Sequence, residues 1–195
     1  MIRIYGVKLC NLQENGLLQS LPDRIALPWK ARHPKLRNKG ARLASLAGVW
    51  LLYKSGAEGT LAYTENGKPY LTAPDRAISI THTQTHAFCA ISDSDGEIGL
   101  DAEDLGRLTA KETAALAARW FTASERAELE KSLTEEAFLS IWTRKEAQVK
   151  QSGEGLRAIR TTDVSDSTFV TYRIENTLIT LVSSEPTVPS EIEML

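Results

Sequence analysis

Cysteine, methionine and histidine are scarce in this sequence, at two, two and three among 195 residues. Cys10 and Cys89 stand far apart without a CxxC pair or a histidine-rich neighbourhood, so neither a disulfide framework nor a zinc site is indicated. Long apolar runs are missing too. The longest, residues 43–53, is interrupted by Ser45 and falls well short of the ~20 residues a membrane span needs. The opening Met-Ile-Arg-Ile-Tyr-Gly lacks the apolar stretch of a secretory signal, so a soluble, cytoplasmic protein with no membrane partner is expected. Charge of neither sign dominates: 23 basic residues face 25 acidic ones for a net −2, which argues against a dedicated nucleic-acid binder. A Walker loop, a GxGxxG turn and a serine or cysteine nucleophile motif are all lacking, which removes the common nucleotide folds as first choices.

What is present is globular. A hydrophobic fraction of 42% offers enough apolar surface to offset chain entropy, and the length allows one domain or two small lobes. Alternation predicts an opening strand over 2–9. A helix whose apolar face carries Leu36, Leu43, Leu46, Ala47, Trp50 and Leu51 ends at Ser55-Gly56. Three short strands follow at 77–82, 86–92 and 97–101, read as a meander. Helices are predicted at 109–119, 122–131 (with Thr122-Ala-Ser-Glu125 as a capping box) and 134–150. Strands are then predicted at 157–161, 168–173 and 177–183, and the tail 185–195 is expected to be loose. Each half reads as a long helix followed by short strands. The expected class is therefore α+β, with two pseudo-symmetric lobes, each a long helix packed on a small antiparallel sheet. Residues 1–103 form one lobe and 104–195 the other.

Three groups of residues carry chemistry. In Ile98-Gly-Leu-Asp101-Ala-Glu103, a strand would point Asp101 and Glu103 to the same side. Close carboxylates raise each other's pKa unless a cation such as Mg²⁺ neutralises them; the alternative is a solvated strand end. On helix 134–150, Lys145 and Glu146 fall within the arc of Phe138, Leu139, Ile141, Trp142 and Val149, with Lys150 at its edge. Charges there need partners, either each other on the helix rim or a shared anionic site. The run Lys30, Arg32, Lys35, Arg37, Lys39 and Arg42, with His33 among it and no acidic residue between, is either a solvated face or a phosphate-attracting field. His82 continues the Ile78–Ile80 face and, with Thr81, could meet an anion; His86 reads as structural.

Taken in order, Gly67-Lys-Pro69, Ile80-Thr-His82, Gly99-Leu-Asp-Ala-Glu103, Phe121-Thr-Ala-Ser-Glu125 and Trp142-Thr-Arg-Lys-Glu-Ala147…Lys150 resemble the 4′-phosphopantetheinyl transferases of the surfactin-synthetase-activating (Sfp) type. The likeness spans roughly residues 30–160. It implies a monomer built as a pseudo-dimer, with coenzyme A bound between the lobes. It also implies Mg²⁺-dependent transfer of the phosphopantetheine arm to a serine of an apo acyl or peptidyl carrier protein, with release of adenosine 3′,5′-bisphosphate. This is a holo-[acyl-carrier-protein] synthase type of activity, serving fatty-acid, polyketide or nonribosomal-peptide synthesis. By the resemblance, Asp101, Glu103 and Glu146 are Mg²⁺ ligands, and Lys150, Lys145, Thr81 and His82 lie at the coenzyme A phosphates. Lys68 and Pro69 line the adenine, and Lys39 and Arg42 serve the 3′-phosphate. Glu146, on a helix wall with a lysine beside it, is favoured as the base, with a metal-bound water relay as the alternative, and Lys150, near the diphosphate, is the second catalytic residue. Thr81 departs from the family's usual serine. A non-enzymatic anion- or nucleic-acid-binding module and another Mg²⁺-dependent phosphotransferase remain the competing readings.

Overall fold

The computed structural model describes residues 1–32, 38–72, 76–94, 96–164 and 168–195. His33, Lys35, Leu36 and Arg37 of the basic run lie outside them. In chain order the elements are β1 (Ile2–Lys8), α1 (Glu14–Ser20), α2 (Asp23–Arg32), α3 (Lys39–Lys54), β2 (Leu61–Tyr63), β3 (Pro69–Leu71), β4 (Ile78–His82), β5 (His86–Ser92) and β6 (Ile98–Asp104). There follow α4 (Ala110–Trp120), α5 (Ala123–Leu129), α6 (Glu135–Ser152), β7 (Phe169–Ile174), β8 (Thr177–Ser183) and β9 (Glu193–Met194).

Two sheets lie back to back between two long helices. The first has the order β4-β5-β1-β9 and the second β6-β8-β7; a separate hairpin pairs β2 with β3. Alternation sorts the side chains. Tyr5, Val7, Ala87, Cys89 and Ile91 turn toward α3 and join Leu46, Val49 and Leu52 in one core. Ile4, Phe88 and Ala90 turn the other way, onto Ile98, Leu100, Ile179 and Leu181 of the second sheet. Phe138, Leu139 and Ile141 of α6 build a third core with Ala117, Phe121 and Leu129. The expected α+β architecture, a long helix on a small antiparallel sheet in each half, is what the chain adopts.

Several local expectations give way to tertiary packing. The strand at 97–101 does not complete a meander with β4 and β5. It becomes β6 of the second sheet, paired with β8 from Ile98↔Ser183 to Asp104↔Thr177. The chain thus changes sheets between Ser92 and Ile98, ahead of the 103/104 boundary read from the sequence. Its apolar residues would suit either sheet, and pairing with a strand some eighty residues away is invisible to local periodicity. Residues 157–161 form no strand: Leu156–Arg160 is a 3₁₀ helix, because Gly155 turns the chain at φ 82° and Ala158 and Thr161 hydrogen-bond back three residues. The tail is not loose, since Glu193–Met194 adds in parallel to Tyr5–Gly6. Helices α1 and α2 were not foreseen. Pro28 lies inside α2, and burial of Ile25, Ala26 and Trp29 holds the helix across it.

Capping fixes the helices of the second half, and at α5 it is the box that the sequence suggests. Thr109 with Glu112 and Thr122 with Glu125 form capping boxes, Thr134 caps α6, and Gly153 closes it at φ 74°. The placement of α6 depends on Gly99. A Cβ there would collide with the Ala147 carbonyl oxygen and sit 2.7 Å from the Gln151 nitrogen, so helix and strand touch backbone to backbone. Gly99→Ala is expected to lower stability by about 3 kcal/mol, read as a shift of the urea midpoint at unchanged slope.

Candidate functional site

The close approach at Gly99 brings one turn of α6 over β6, and β4 runs alongside in the same direction. The Ser79 hydroxyl accepts from the Leu100 amide at 2.8 Å, which ties the two strands together by a side chain rather than a backbone ladder. Two residues further along, the Thr81 hydroxyl donates to Asp101 Oδ1 at 3.2 Å. From α6, Lys150 Nζ donates to the same Oδ1 at 2.6 Å and to Thr81 Oγ1 at 3.1 Å. One oxygen of Asp101 takes both of these bonds, and the Glu146 carboxyl also lies within hydrogen-bonding reach of the Asp101 carboxylate. The other, Oδ2, is buried in a residue only 3% exposed and takes no hydrogen bond from a donor among the described residues.

Glu146 and Glu103 complete an acidic group with Asp101. Burial pushes Glu146 far above the usual carboxylate range, Asp101 pushes it further, and Lys150 opposes the shift. Glu103 is likewise raised by burial and by Asp101; Arg107, 3.3 Å away, and the Trp142 side chain hold it down. For Lys150, burial disfavours the charge, yet Asp101 and Glu146 hold its pKa above the ordinary lysine value. Three carboxylates thus share one ammonium.

Among the described residues, no three His, Cys, Asp or Glu side chains converge closely enough to form a finished metal site. The chemistry still fits a small oxygen-seeking cation. A buried carboxylate oxygen without a donor, beside two carboxylates raised by burial and then by Asp101, is relieved by added positive charge.

Beside this group lies a cleft of about 350 Å³. Its walls are the hairpin turn Asn66–Pro69, β4 at Ile78–Ile80, and α6 from Glu146 to Gly153. The turn is fastened across it: Asn66 Nδ2 donates to the Gly153 carbonyl at 3.0 Å and Lys68 Nζ to the Gln151 carbonyl at 2.5 Å. A lysine at a helix C-terminus also suits the macrodipole.

The residues singled out from the sequence are distributed unevenly. Asp101, Glu103, Glu146, Lys150 and Thr81 come together. Pro69 lines the cleft, whereas the ammonium of Lys68 is committed to the end of α6. His82 is exposed at the end of β4, on the opposite face of the strand from Thr81. Lys39 is exposed in the first turn of α3, and Arg42 is held by Glu14 at 2.6 Å and lies over the Trp29 ring.

Lys145 does not reach the cleft, contrary to the sequence reading. It is fully buried and donates to both carboxylate oxygens of Glu125 at 2.8 Å and to the Thr162 carbonyl. The partner was hidden because Glu125 was already accounted for as the capping residue of α5. Arg32, one member of the basic run, reaches the hairpin turn: a Cβ on Gly67 would lie 2.5 Å from its guanidinium. Nothing in the run distinguished it from its neighbours.

Comparison with known proteins adds two findings. Residues 97–187 match the family described as the 4′-phosphopantetheinyl transferase superfamily. Over 167 residues the chain is 32% identical to a Bacillus subtilis protein named 4′-phosphopantetheinyl transferase, an alignment covering 80% of this chain and 72% of that one. Among the described residues, no helix is long and apolar enough to cross a membrane.

Proposed function

Since the chain belongs to the 4′-phosphopantetheinyl transferase superfamily, we propose that it is a transferase of the Sfp type that moves the phosphopantetheine arm of coenzyme A onto a serine of an apo carrier protein. The observation that carries this reading is the meeting of Asp101, Glu146 and Lys150 at one end of a cleft bounded by both halves of the chain. In the proposed reaction, the serine hydroxyl attacks the phosphorus that bears the pantetheine arm. The bond from that phosphorus to the oxygen of adenosine 3′,5′-bisphosphate breaks as the new one forms.

The residues of the chain divide the work. Lys150, held charged by its acidic neighbours, is placed to offset negative charge on the diphosphate. Thr81 orients Asp101 and Lys150 through one hydroxyl. Glu146, on the wall of α6 one turn before Lys150, is placed to take the proton of the attacking serine at a carboxylate oxygen that does not hold the ion. Asp101, Glu103 and Glu146 are the residues that would hold Mg²⁺. When bound, that ion would supply charge neutralisation on the phosphoryl oxygens, the main requirement of phosphoryl transfer. The cleft at Asn66–Pro69 would receive the nucleotide end, with Arg32 at its turn and Lys39, Arg42 and His82 further out.

The test is direct. Purified protein incubated with coenzyme A, Mg²⁺ and a panel of apo carrier domains is expected to add the phosphopantetheine mass to at least one of them. Chelating divalent ions should stop the addition and restoring Mg²⁺ should recover it. A carrier panel left unmodified, or modification indifferent to chelation, would overturn the assignment of transfer or of metal respectively.

A further inference from the structure

A second polar cluster joins the two halves a few residues beyond the proposed site. Asp104, the last residue of β6, accepts from Thr85 Oγ1 at 2.9 Å and from Thr177 Oγ1 at 2.7 Å. Burial disfavours its charge, but the bonds from Thr177, Thr85, Thr83 and the Gln84 backbone hold its pKa below the ordinary value. Thr85 precedes β5 in the first half and Thr177 opens β8 in the second. His86 lies beneath them, 2% exposed and stacked on Phe88, with Nδ1 2.8 Å from Thr85 Oγ1 and 3.2 Å from Thr177 Oγ1.

Proton counting assigns the tautomer. Each threonine hydroxyl has one proton, and both are donated to Asp104. Those hydroxyl oxygens can then only accept from His86, so Nδ1 carries the ring proton. Nε2 is left with a lone pair, buried and without a hydrogen-bond partner. The charged groups around the ring are Asp104, Glu175 and Lys8. The nearest acid to Nε2 is Glu175, with Oε2 at 3.9 Å, and Glu175 is already paired with Lys8, which lies directly across from His86 in the β1–β5 ladder. Glu175 occupies the β7–β8 turn at φ 51°, a backbone region a glutamate rarely adopts, so its place there comes at some strain.

We infer that His86 is a positioning residue: as the neutral Nδ1–H tautomer it clasps Thr85 of one half and Thr177 of the other around Asp104, and a proton added at Nε2 would be buried with no acceptor at hydrogen-bond distance among the described residues, so protonation favours release of the ring from the clasp. Asp104 directly follows Glu103, and Thr83 lies two residues past Thr81. The clasp therefore sets the register between β4 and β6 at the end that carries the proposed site, and in this respect the inference rests on the function proposed above. Burial lowers the His86 pKa below 6.5, with Glu175 and Asp104 opposing and Lys8 assisting. The unfolded chain thus takes the proton first. The stabilisation is complete above about pH 6.5 and declines as pH falls below it, until the folded state is itself protonated.

Nitrogen-15 NMR of the histidine rings tests the core of this claim without any activity. The expected result is a protonated Nδ1 and bare Nε2 at neutral pH, with a titration midpoint below 6.5; the opposite tautomer, or a midpoint at or above that value, overturns it. His86→Asn keeps a donor near the Nδ1 position and cannot titrate. Between about pH 7.5 and about pH 5.5, the wild-type folding constant is expected to fall about threefold more than that of the variant. Equal losses would defeat the clasp as a proton-sensitive element. In the transfer assay, the acid-side loss of kcat/KM should be correspondingly steeper in wild type. A constant ratio of the two enzymes across pH removes the positioning role and leaves the proposed function standing. If no transfer occurs at any pH, the function fails while the NMR and stability results still decide the clasp.

Discussion

Asp101→Asn is expected to reduce phosphopantetheine transfer by about 10²–10³-fold while changing stability by no more than about 1 kcal/mol. Asparagine has the same shape and keeps an oxygen where Oδ1 accepts from Thr81 at 3.2 Å and from Lys150 at 2.6 Å. What it removes is the charge, together with the acceptor at Oδ2, a buried oxygen that takes no hydrogen bond from a donor among the described residues. Fold and function should therefore separate at this position. If Asp101 only tied Lys150 in place, the amide would serve nearly as well and transfer would persist. Steady-state kinetics with a carrier that accepts the arm, alongside urea unfolding, measures both quantities. A variant with full activity would break the assignment of Asp101 to the reacting centre. Mg²⁺ titration of the same variant adds a second reading: a raised requirement for the ion is expected if this carboxylate helps to hold it.

The largest loss of stability is expected from Lys145→Met, at about 3–5 kcal/mol. Lys145 and Glu125 are both fully buried, and the carboxylate also accepts from the backbone amides of Thr122 at 2.8 Å and Val164 at 3.1 Å. Removing the ammonium leaves a carboxylate in a dry interior with two amides and no counter-charge. The pair joins α5, α6 and the segment 162–164, so the damage should extend to the orientation of α6 and to Glu146 and Lys150 on it. Adding Glu125→Gln to Lys145→Met discharges the stranded acid while keeping an acceptor for the amides. The double variant should be more stable than the single one, by a coupling energy read from the unfolding midpoints. A double variant no better than Lys145→Met would show that the lysine acts through packing alone.

These two positions also show what local sequence can and cannot reveal. Asp101 and Glu103 were marked by period-two spacing, a rule that holds for any strand whatever its neighbours. Lys145 was marked by the same kind of rule as a charge within an apolar arc, and that much was right. Helical periodicity says that a residue faces something buried, without saying what. Glu125 lies 20 residues away in the chain and carries a complete local explanation as a capping residue. The capping box of α5 is legible because it depends on residues three apart. The membership of β6 was not, since its partner strand ends at Ser183.

From the amino-acid order alone came the residue types, the paired acids of β6, the helix with Lys145 and Glu146 within its apolar arc and Lys150 at the edge, and the architecture of a long helix and short strands in each half. Only the tertiary structure decided which charges meet. Lys150 reaches Asp101 across 49 residues and Thr81 across 69, while Lys145, five positions earlier on the same helix, turns away to Glu125. The reason is geometric: at about 100° per residue a helix sends neighbouring side chains to different surroundings. Backbone contact at Gly99, together with burial on each side, fixes which direction meets which partner.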